Sequence, residues 1–286
     1  MKKTFLIALA ATALAAPAYA DHHGMSKAEH DKMHKEHSER LAKILADPAR
    51  GADAKRDQYR HPAETFEFFR LHPDHVIGEY APGGEWVSRI LGRYVNEKGK
   101  YTGLYFGTKS HFSDQQKAGI AANIVKFPAD VAAVSGRPAT DFNAFSLSEV
   151  PEGAKGSFDR IIVMRMLHNM MNWNIADTEI KAMRDLLKDD GLLGIEQHRA
   201  KADAPFSYTN GTKGYMREAD IIKFMEVNGF DLVAKSEINA NPKDSANWPD
   251  GVWTLPPALR LKDVDRAKYE AIGETDRMTL LFKKRP

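Results

Sequence analysis

The sequence contains no cysteine, has only a small net charge and lacks the signatures of several enzyme classes. Without cysteine, the chain has no disulfides, no thiolate chemistry and no N-terminal cysteine to carry a lipid. Lysine and arginine number 41 against 39 acidic residues, so nothing indicates an electrostatic partner such as nucleic acid. There is also no Gly-x-Ser-x-Gly nucleophile turn and no Gly-x-x-x-x-Gly-Lys phosphate loop.

The first twenty residues have the pattern of a secretory signal. Lys2 and Lys3 precede an apolar stretch over residues 5–15, and Ala18-Tyr19-Ala20 is typical of a cleavage site. The stretch is shorter than the roughly 20 apolar residues that a membrane-spanning helix needs. We therefore expect residues 1–20 to be removed and the remaining chain to be periplasmic, without a membrane segment. Loss of two lysines then brings its formal charge from +2 to zero.

Residues 21–57 are polar, helix-prone and rich in histidine. His23, His30, His34 and His37 follow one another at spacings of seven, four and three, which places them on one face of a helix. Such a face could bind copper, nickel or zinc. No carboxylate constellation of known spacing accompanies it, so a solvated helix face is the favoured interpretation and we predict no metal site. We expect this segment to be a helical extension of a domain formed by residues 58–286.

From residue 76 onward, buried strands alternate with helices, which favours a mainly parallel sheet with helices on both faces. The sequence pattern predicts strands at residues 76–78, 101–106, 158–164, 192–196, 230–238 and 278–283. It predicts helices at residues 86–94, 113–125, 177–187 and 218–228. No strong helix separates the last two strands, so we expect an antiparallel edge there. The fold class predicted is Rossmann-like α/β, doubly wound, with a helical N-terminal extension.

The stretch HPDHVIGEYAPGGEWVSRIL, residues 72–91, is predicted to be a strand, a tight glycine turn and the start of a helix. Glu79 lies at the end of the strand, and Pro82, Gly83 and Gly84 form the turn. This arrangement lets backbone N–H groups and a helix N-terminus approach a ligand closely. An acidic residue at the strand end is suited to hold hydroxyl groups or an amine. The stretch therefore indicates a nucleotide-like cofactor.

Four blocks of sequence resemble class I S-adenosylmethionine-dependent methyltransferases, specifically an exported bacterial group of predicted methyltransferases. The blocks are EYAPGGEW, FDRIIVMRMLHNMMNW, LLKDDGLLGIEQHRA and the ending DRMTLLFKKRP with DGVWTLPP upstream. The resemblance covers roughly residues 58–286. It implies that S-adenosylmethionine is the cofactor and that a methyl group passes to an acceptor, for which a small molecule is favoured by the long insertion before the last strand.

The resemblance also implies which residues hold the cofactor: Glu79, Ala81, Pro82, Gly83, Gly84 and Tyr105. Three positions depart from the family pattern, in which an acid is followed by alternating glycines and a second acid ends the next strand. Ala81 and Glu85 stand where glycines are expected, and Tyr105 stands where an acid usually grips the ribose. A phenol makes fewer hydrogen bonds to a diol than a carboxylate does. A protein that keeps the fold but binds the cofactor differently, or not at all, therefore remains an alternative.

The predicted catalytic residues are His168 and Asn169, which directly follow the strand at residues 158–164. Ligands of such sheets bind at the carboxyl ends of the strands. His168 could act as a general base, because histidine titrates near pH 7, or it could cap a turn. Arg165, His198, Arg199 and Trp253 are the candidate substrate residues. Arg199 is equally well interpreted as part of a structural ion pair, and Trp253 as a core residue.

Two functions follow from these predictions. The first is methyl transfer from S-adenosylmethionine to an unidentified, small acceptor. The second is a non-catalytic periplasmic binding protein on the same fold. This alternative is favoured because S-adenosylmethionine is made in the cytoplasm, so an exported enzyme would need a supply of it outside. The sequence leaves the oligomeric state open.

Overall fold

The computed structural model describes residues 26–83, 86–107 and 112–286. The predicted signal at residues 1–20, His23 and Gly84 lie outside the described residues. In the described part of the chain, no helix is both long and apolar enough to cross a bilayer.

Seven strands form one twisted sheet. They are β1 Val76–Tyr80, β2 Lys100–Tyr105, β3 Phe142–Ser146, β4 Phe158–Met164, β5 Leu187–His198, β6 Phe230–Ser236 and β7 Arg277–Lys284. Their order across the sheet is β3-β2-β1-β4-β5-β7-β6. The first five strands run parallel, and β7 is antiparallel to both of its neighbours, β5 and β6. The predicted Rossmann-like fold is therefore confirmed, with β7 as the antiparallel strand and β6 at the edge.

Helices connect the strands and cover the sheet. They are α1 Lys27–Leu45, α2 Asp57–Arg60, α3 Pro62–Phe68, α4 Trp86–Tyr94, α5 Asp114–Ser135, α6 Leu167–Asn172, α7 Ala176–Leu186, α8 Phe206–Thr209, α9 Glu218–Val227 and α10 Arg266–Ile272. A core on one face contains α7, α9 and residues of β4, β5 and β7. A second core contains α3, α4 and α5 with residues of β1 and β2. Both faces of the sheet are thus apolar and covered, as a parallel sheet requires.

Helix α5 is longer than the sequence pattern suggests. The sequence pattern predicts a helix over residues 113–125, either continuous or broken, and leaves residues 131–147 ambiguous with at least one strand among them. A proline inside a helix is costly. In the structure the helix continues through Pro128 to Ser135 and stops at Gly136, whose φ of 72° provides the left-handed cap. Phe127 and Val131 on this extra part are buried in the second core. Tertiary packing therefore outweighs the local cost of the proline, and one strand, β3, follows as expected.

The N-terminal segment packs against the domain. Arg40 on α1 donates from Nε to the carbonyl oxygen of Tyr94 (2.6 Å) at the end of α4. A 3₁₀ segment, Pro48–Arg56, follows α1, and Asp53 within it forms an ion pair with Arg89 on α4. Because these contacts come from before residue 58, the extension is continuous in space with the sheet domain. The division of the chain at residue 58 stays a prediction.

Candidate functional site

The largest group of predicted site residues lies at the carboxyl ends of β1 and β4. These strands are neighbours in the sheet, but the chain leaves β1 for β2 on one side and leaves β4 for β5 on the other. Such a switch point opens a crevice in which α/β proteins bind ligands. A cavity of about 360 Å³ lies there, lined by Glu79, Ala81 and Gly83 on the β1 side. Its volume lies within the range of small-molecule sites.

Glu79 is buried, and its carboxylate accepts hydrogen bonds from two hydroxyl groups. The Ser88 hydroxyl on α4 donates to Oε2 of Glu79 (3.0 Å), and the Tyr101 hydroxyl on β2 donates to the same oxygen. Glu79 is 4% exposed. Burial raises its pKa from 4.5 to about 7, although the two hydroxyls and Arg165 act in the opposite direction. At neutral pH the side chain therefore exists in both protonation states.

The turn after β1 brings backbone to the cavity. Ala81 has a φ of 49°, a left-handed conformation that glycine adopts without strain and alanine does not. Gly83 borders the 360 Å³ cavity and also a second cavity of about 170 Å³. A side chain added at Gly83 would meet no atom closer than 3.5 Å, so the space beside this residue is open. Pro82 lines the second cavity.

Tyr105 faces the second cavity rather than the first. It lies at the end of β2 and is 6% exposed. Its ring packs edge-on against Phe127 of α5, with 6.3 Å between the ring centroids. Gly83 borders both cavities, so the two cavities adjoin at the turn after β1 and the predicted cofactor residues lie around that turn. They are nevertheless divided between two spaces: Glu79 and Ala81 lie on one, and Tyr105 lies on the other.

His168 lies on the opposite wall of the main cavity, on α6 immediately after β4. Its Nδ1 is 3.2 Å from the amide nitrogen of Gln197, which also donates to the carbonyl oxygen of Gly214 (2.8 Å). Burial lowers the pKa of His168 from 6.5 to about 4. The imidazole is consequently neutral at pH 7 and accepts a proton only weakly. This differs from the near-neutral pKa on which its expected role as a general base depended.

Three further predicted residues share this wall and its roof. Asn169 lies next to His168 and lines the cavity, as does Trp253 from the long insertion before β7. The ring of Trp253 meets the ring of His168 edge-on at 6.0 Å between centroids. His198, at the end of β5, forms a hydrogen bond through Nδ1 with the hydroxyl group of Thr275 (2.6 Å). Burial and neighbouring cations lower its pKa well below 6.5, so His198 is also neutral.

A cluster of buried charges forms the floor beside these histidines. Arg165 follows β4 and donates to Oε1 of Glu196 (3.0 Å). Arg277 lies 2.8 Å from the same carboxylate and donates to Glu274 (2.7 Å). Glu274 in turn accepts from Nε of Arg60 (2.8 Å). Arg60, Arg277 and both glutamates are at most 5% exposed, so the cluster belongs to the interior and borders the cavity.

Positive charge predominates in this cluster. Four guanidinium groups surround two carboxylates, because Arg56 also approaches Glu274 (3.3 Å). Burial and the nearby Arg165 lower the pKa of Arg60 to about 9. Burial favours protonation of Glu274, but Arg277 and Arg60 outweigh it and lower the pKa of Glu274 to about 2. The cavity wall formed by Arg56, Arg60 and Arg165 is therefore suited to an anion.

The sequence prediction did not include Arg56, Arg60 or Glu274. Arg56 and Arg60 come from the N-terminal segment, and Glu274 comes from the turn before β7, so long-range folding alone brings them together. The block around DRMTLLF supported the family resemblance, and nothing in it marked Glu274 as part of a site.

Arg199 is the predicted substrate residue that the structure does not bring to the cavity. Its guanidinium donates to Asp276 (3.0 Å) and to Glu237 (2.6 Å), and it lies 3.5 Å from Glu218. These acidic groups raise the pKa of Arg199 above its ordinary value. Arg199 therefore holds β5, α9 and the turn before β7 together. This is the structural interpretation that the sequence left open.

Comparison with known proteins gives the fold and no more. No family model and no curated protein matches the sequence. The MccD protein structure has a TM-score of 0.50 and 9% identity, over 78% of this chain and 95% of MccD. The [4+2]-cyclase SpnF has a TM-score of 0.48 and 17% identity, over 79% and 80% of the two chains.

A third solved structure is the 1,6-didemethyltoxoflavin-N1-methyltransferase of Burkholderia thailandensis, with S-adenosylhomocysteine bound. It has a TM-score of 0.47 and 12% identity, over 89% of this chain and 91% of that one. At such low identities, structural similarity concerns the fold and not the activity. With its strand order and its antiparallel β7, the chain has a Rossmann-like α/β fold, which it shares with MccD.

Proposed function

We propose that the protein transfers a methyl group from S-adenosylmethionine to a small, anionic acceptor in the periplasm. The observation that carries the proposal is the cavity at the switch point between β1 and β4. The turn after β1 forms one wall, and polar side chains that follow β4 form the other. The exported location rests on the signal-like residues 1–20 alone.

The residues at this cavity fit the cofactor. The space beside Gly83 is open, which allows a ligand to approach the backbone of the turn. The amino-acid end of S-adenosylmethionine carries one positive and one negative charge, and the cavity offers Glu79 and Arg165 as counterparts. We propose that Glu79, Ala81 and Gly83 hold this end and that Tyr105 reaches a ribose hydroxyl. When bound, the cofactor supplies an electrophilic methyl group.

The remaining cavity residues would position the acceptor. Arg56 and Arg60 lie on the same wall as Glu274 and leave positive charge in excess, which suits a carboxylate or a phosphate. His168 is neutral and held by Gln197, so we propose that it orients the acceptor and does not remove a proton at neutral pH. Trp253 lines the cavity, and we propose that it shields the acceptor from water. Catalysis would then come mainly from alignment of the two reactants.

Calorimetry with S-adenosylmethionine and S-adenosylhomocysteine tests the first step. Gly83→Ala places a methyl group where the ligand approaches, and we expect affinity to fall at least about tenfold, a free-energy loss of about 1.4 kcal/mol. Gly119→Ala is the matched control, because its new methyl group meets no atom within 4 Å and lies on an exposed position of α5, away from both cavities. Absence of heat with either ligand would exclude the methyl donor.

The acceptor class is tested by following S-adenosylhomocysteine formation with small carboxylates, phosphate monoesters and neutral analogues of both. We expect turnover only with the anions. Arg56→Gln should weaken acceptor use, since this side chain lines the cavity, whereas Arg266→Gln on the surface of α10 should not. Equal use of neutral acceptors would contradict the assignment.

A further comparison separates the acceptor from the cofactor's own carboxylate. 5′-Methylthioadenosine lacks the amino-acid end of S-adenosylhomocysteine. If Arg56→Gln weakens binding of S-adenosylhomocysteine but not of methylthioadenosine, the positive wall serves the cofactor. If neither changes while acceptor use falls, the wall serves the acceptor, as we propose.

Two observations favour the second candidate, a periplasmic binding protein without catalysis. The Glu79 carboxylate is engaged by Tyr101 and Ser88, and Tyr105 replaces the usual acid at the end of β2. Both features weaken the expected grip on the cofactor. Binding of small anions without binding of either adenosyl ligand would identify this function.

A further inference from the structure

A second cluster of polar side chains lies at the opposite end of β1, about 16 Å from the cavity by the length of a five-residue strand. It consists of His72, Asp74 and His75 in the turn that enters β1. One potential ligand atom from each of them lies within 4.8 Å of the others. The rings of His72 and His75 stack at 4.5 Å between centroids.

A fourth side chain approaches from the N-terminal extension. His37 on α1 places its ring 4.9 Å from that of His72, centroid to centroid. The histidine spacing in the sequence suggested a helix face with His34, but the structure separates the two. His34 is exposed and lies 3.4 Å from Glu67, whereas His37 turns toward the loop before β1. The four side chains His37, His72, Asp74 and His75 are called the β1-entry cluster below.

The loop that carries three of these residues is held firmly by its neighbours. The carbonyl oxygen of Pro73 accepts from the backbone of Asn96 (2.7 Å), and that of His75 accepts from Lys100 (3.0 Å). The backbone N–H of His72 donates to Nδ1 of His75 (3.4 Å) and thereby orients the imidazole. These three hydrogen bonds hold the loop and the ring of His75 in place beside the other members of the cluster.

Asp74 adds an observation that points to a ligand. Its Oδ1 is buried and accepts no hydrogen bond from the described part of the chain. A buried carboxylate oxygen without a donor is costly unless a cation or water satisfies it. The nearby Tyr94 hydroxyl does not serve this oxygen, because it donates to the carbonyl oxygen of Leu71 (2.9 Å).

We infer that the β1-entry cluster binds one divalent transition-metal ion, with three imidazoles and one carboxylate as ligands. This ligand set suits zinc, which prefers nitrogen and oxygen ligands in a tetrahedral arrangement. Zinc–nitrogen bonds of about 2.0–2.1 Å require ligand atoms to be about 3.3 Å apart. Side-chain rotations of the imidazoles cover the remaining distance. The ion would fasten α1 to the start of β1.

The test uses untagged protein that has been treated with a chelator and then titrated with Zn²⁺, or with Co²⁺ as a spectroscopic probe. We expect one ion per chain and the visible absorption of tetrahedral Co²⁺. His72→Ala and His37→Ala should each lower the affinity at least about tenfold. His34→Ala is the matched control on the same helix and should leave the affinity unchanged.

Three outcomes would overturn the inference. They are the absence of binding, binding that survives both His72→Ala and His37→Ala, and binding lost only when His22 and His23 are replaced together. Thermal unfolding gives an independent readout, because an ion that bridges α1 and β1 raises the melting temperature of the wild-type chain but not of His72→Ala. None of these measurements involves the adenosyl ligands, so the cluster and the proposed methyl transfer succeed or fail separately.

Discussion

Replacing Glu79 by glutamine should remove one defined contribution to the pH dependence of the protein's stability. Ser88 and Tyr101 both donate to Oε2 of Glu79, and the amide oxygen of glutamine can accept both bonds. The difference is that glutamine never ionises. In the wild type, burial raises the pKa of Glu79 to about 7, so the folded protein has to accommodate a buried charge at alkaline pH.

The sign follows from proton binding. Between pH 4.5 and 7 the folded state keeps the proton of Glu79 and the unfolded state loses it, so wild-type stability falls as pH rises through this window. A shift from 4.5 to about 7 corresponds to about 3 kcal/mol once both states are ionised. Relative to the wild type, Glu79→Gln should therefore gain about 3 kcal/mol between pH 4.5 and pH 8.5.

Urea unfolding of the wild type and the variant at pH 4.5, 6, 7 and 8.5 measures this difference directly. All groups common to both chains cancel in the comparison. Glu152→Gln serves as the control, since Glu152 is exposed in the loop before β4, and its difference from the wild type should stay constant. If the Glu79→Gln difference is also constant within about 0.5 kcal/mol, burial does not raise the pKa of Glu79.

Three other changes have defined outcomes. Ala81→Gly should stabilise the protein by about 0.5–1 kcal/mol in thermal unfolding, because Ala81 has a left-handed φ; a loss of stability would contradict this. Arg199→Ala should lower stability by roughly 2 kcal/mol through loss of its pairs with Asp276 and Glu237, while ligand affinity stays constant; the reverse result would return Arg199 to the site. NMR titration of imidazole resonances should show no His168 midpoint near pH 6.5, since its pKa is lowered to about 4.

The strands were predictable because their signals are local. The run at residues 158–164 is continuously apolar in its second half and became β4, and the pattern at residues 278–283 became most of β7. The start of β5 was less clear. Strand β5 begins at Leu187, where the pattern still favoured a helix, because Leu187 pairs with Phe158 across a register shift. That pairing joins positions far apart in the sequence, and no local signal reports it.

Apart from Trp253 of the long insertion, the site was predictable where its residues follow a strand. Glu79, His168 and His198 each lie at a strand end, and the parallel arrangement of β1, β4 and β5 brings them to one cavity. Arg60 comes from a four-residue helix that follows no strand, so its position at the cavity depends on the packing of the N-terminal segment. Burial was also invisible in the sequence, and burial is what lowers the pKa of His168.

Ala81 and Arg165 share a property with consequences for redesign of the protein. Each follows a central strand at the floor of the cavity, and each has a positive φ, of 49° and 59°. Branched side chains are strongly disfavoured in this conformation, so valine, isoleucine and threonine at these two positions would lower stability. A library intended to change ligand preference is better directed at Val252, Trp253 and Ala258. These residues line the cavity from the insertion before β7, and replacing them leaves the backbone at Ala81 and Arg165 unchanged.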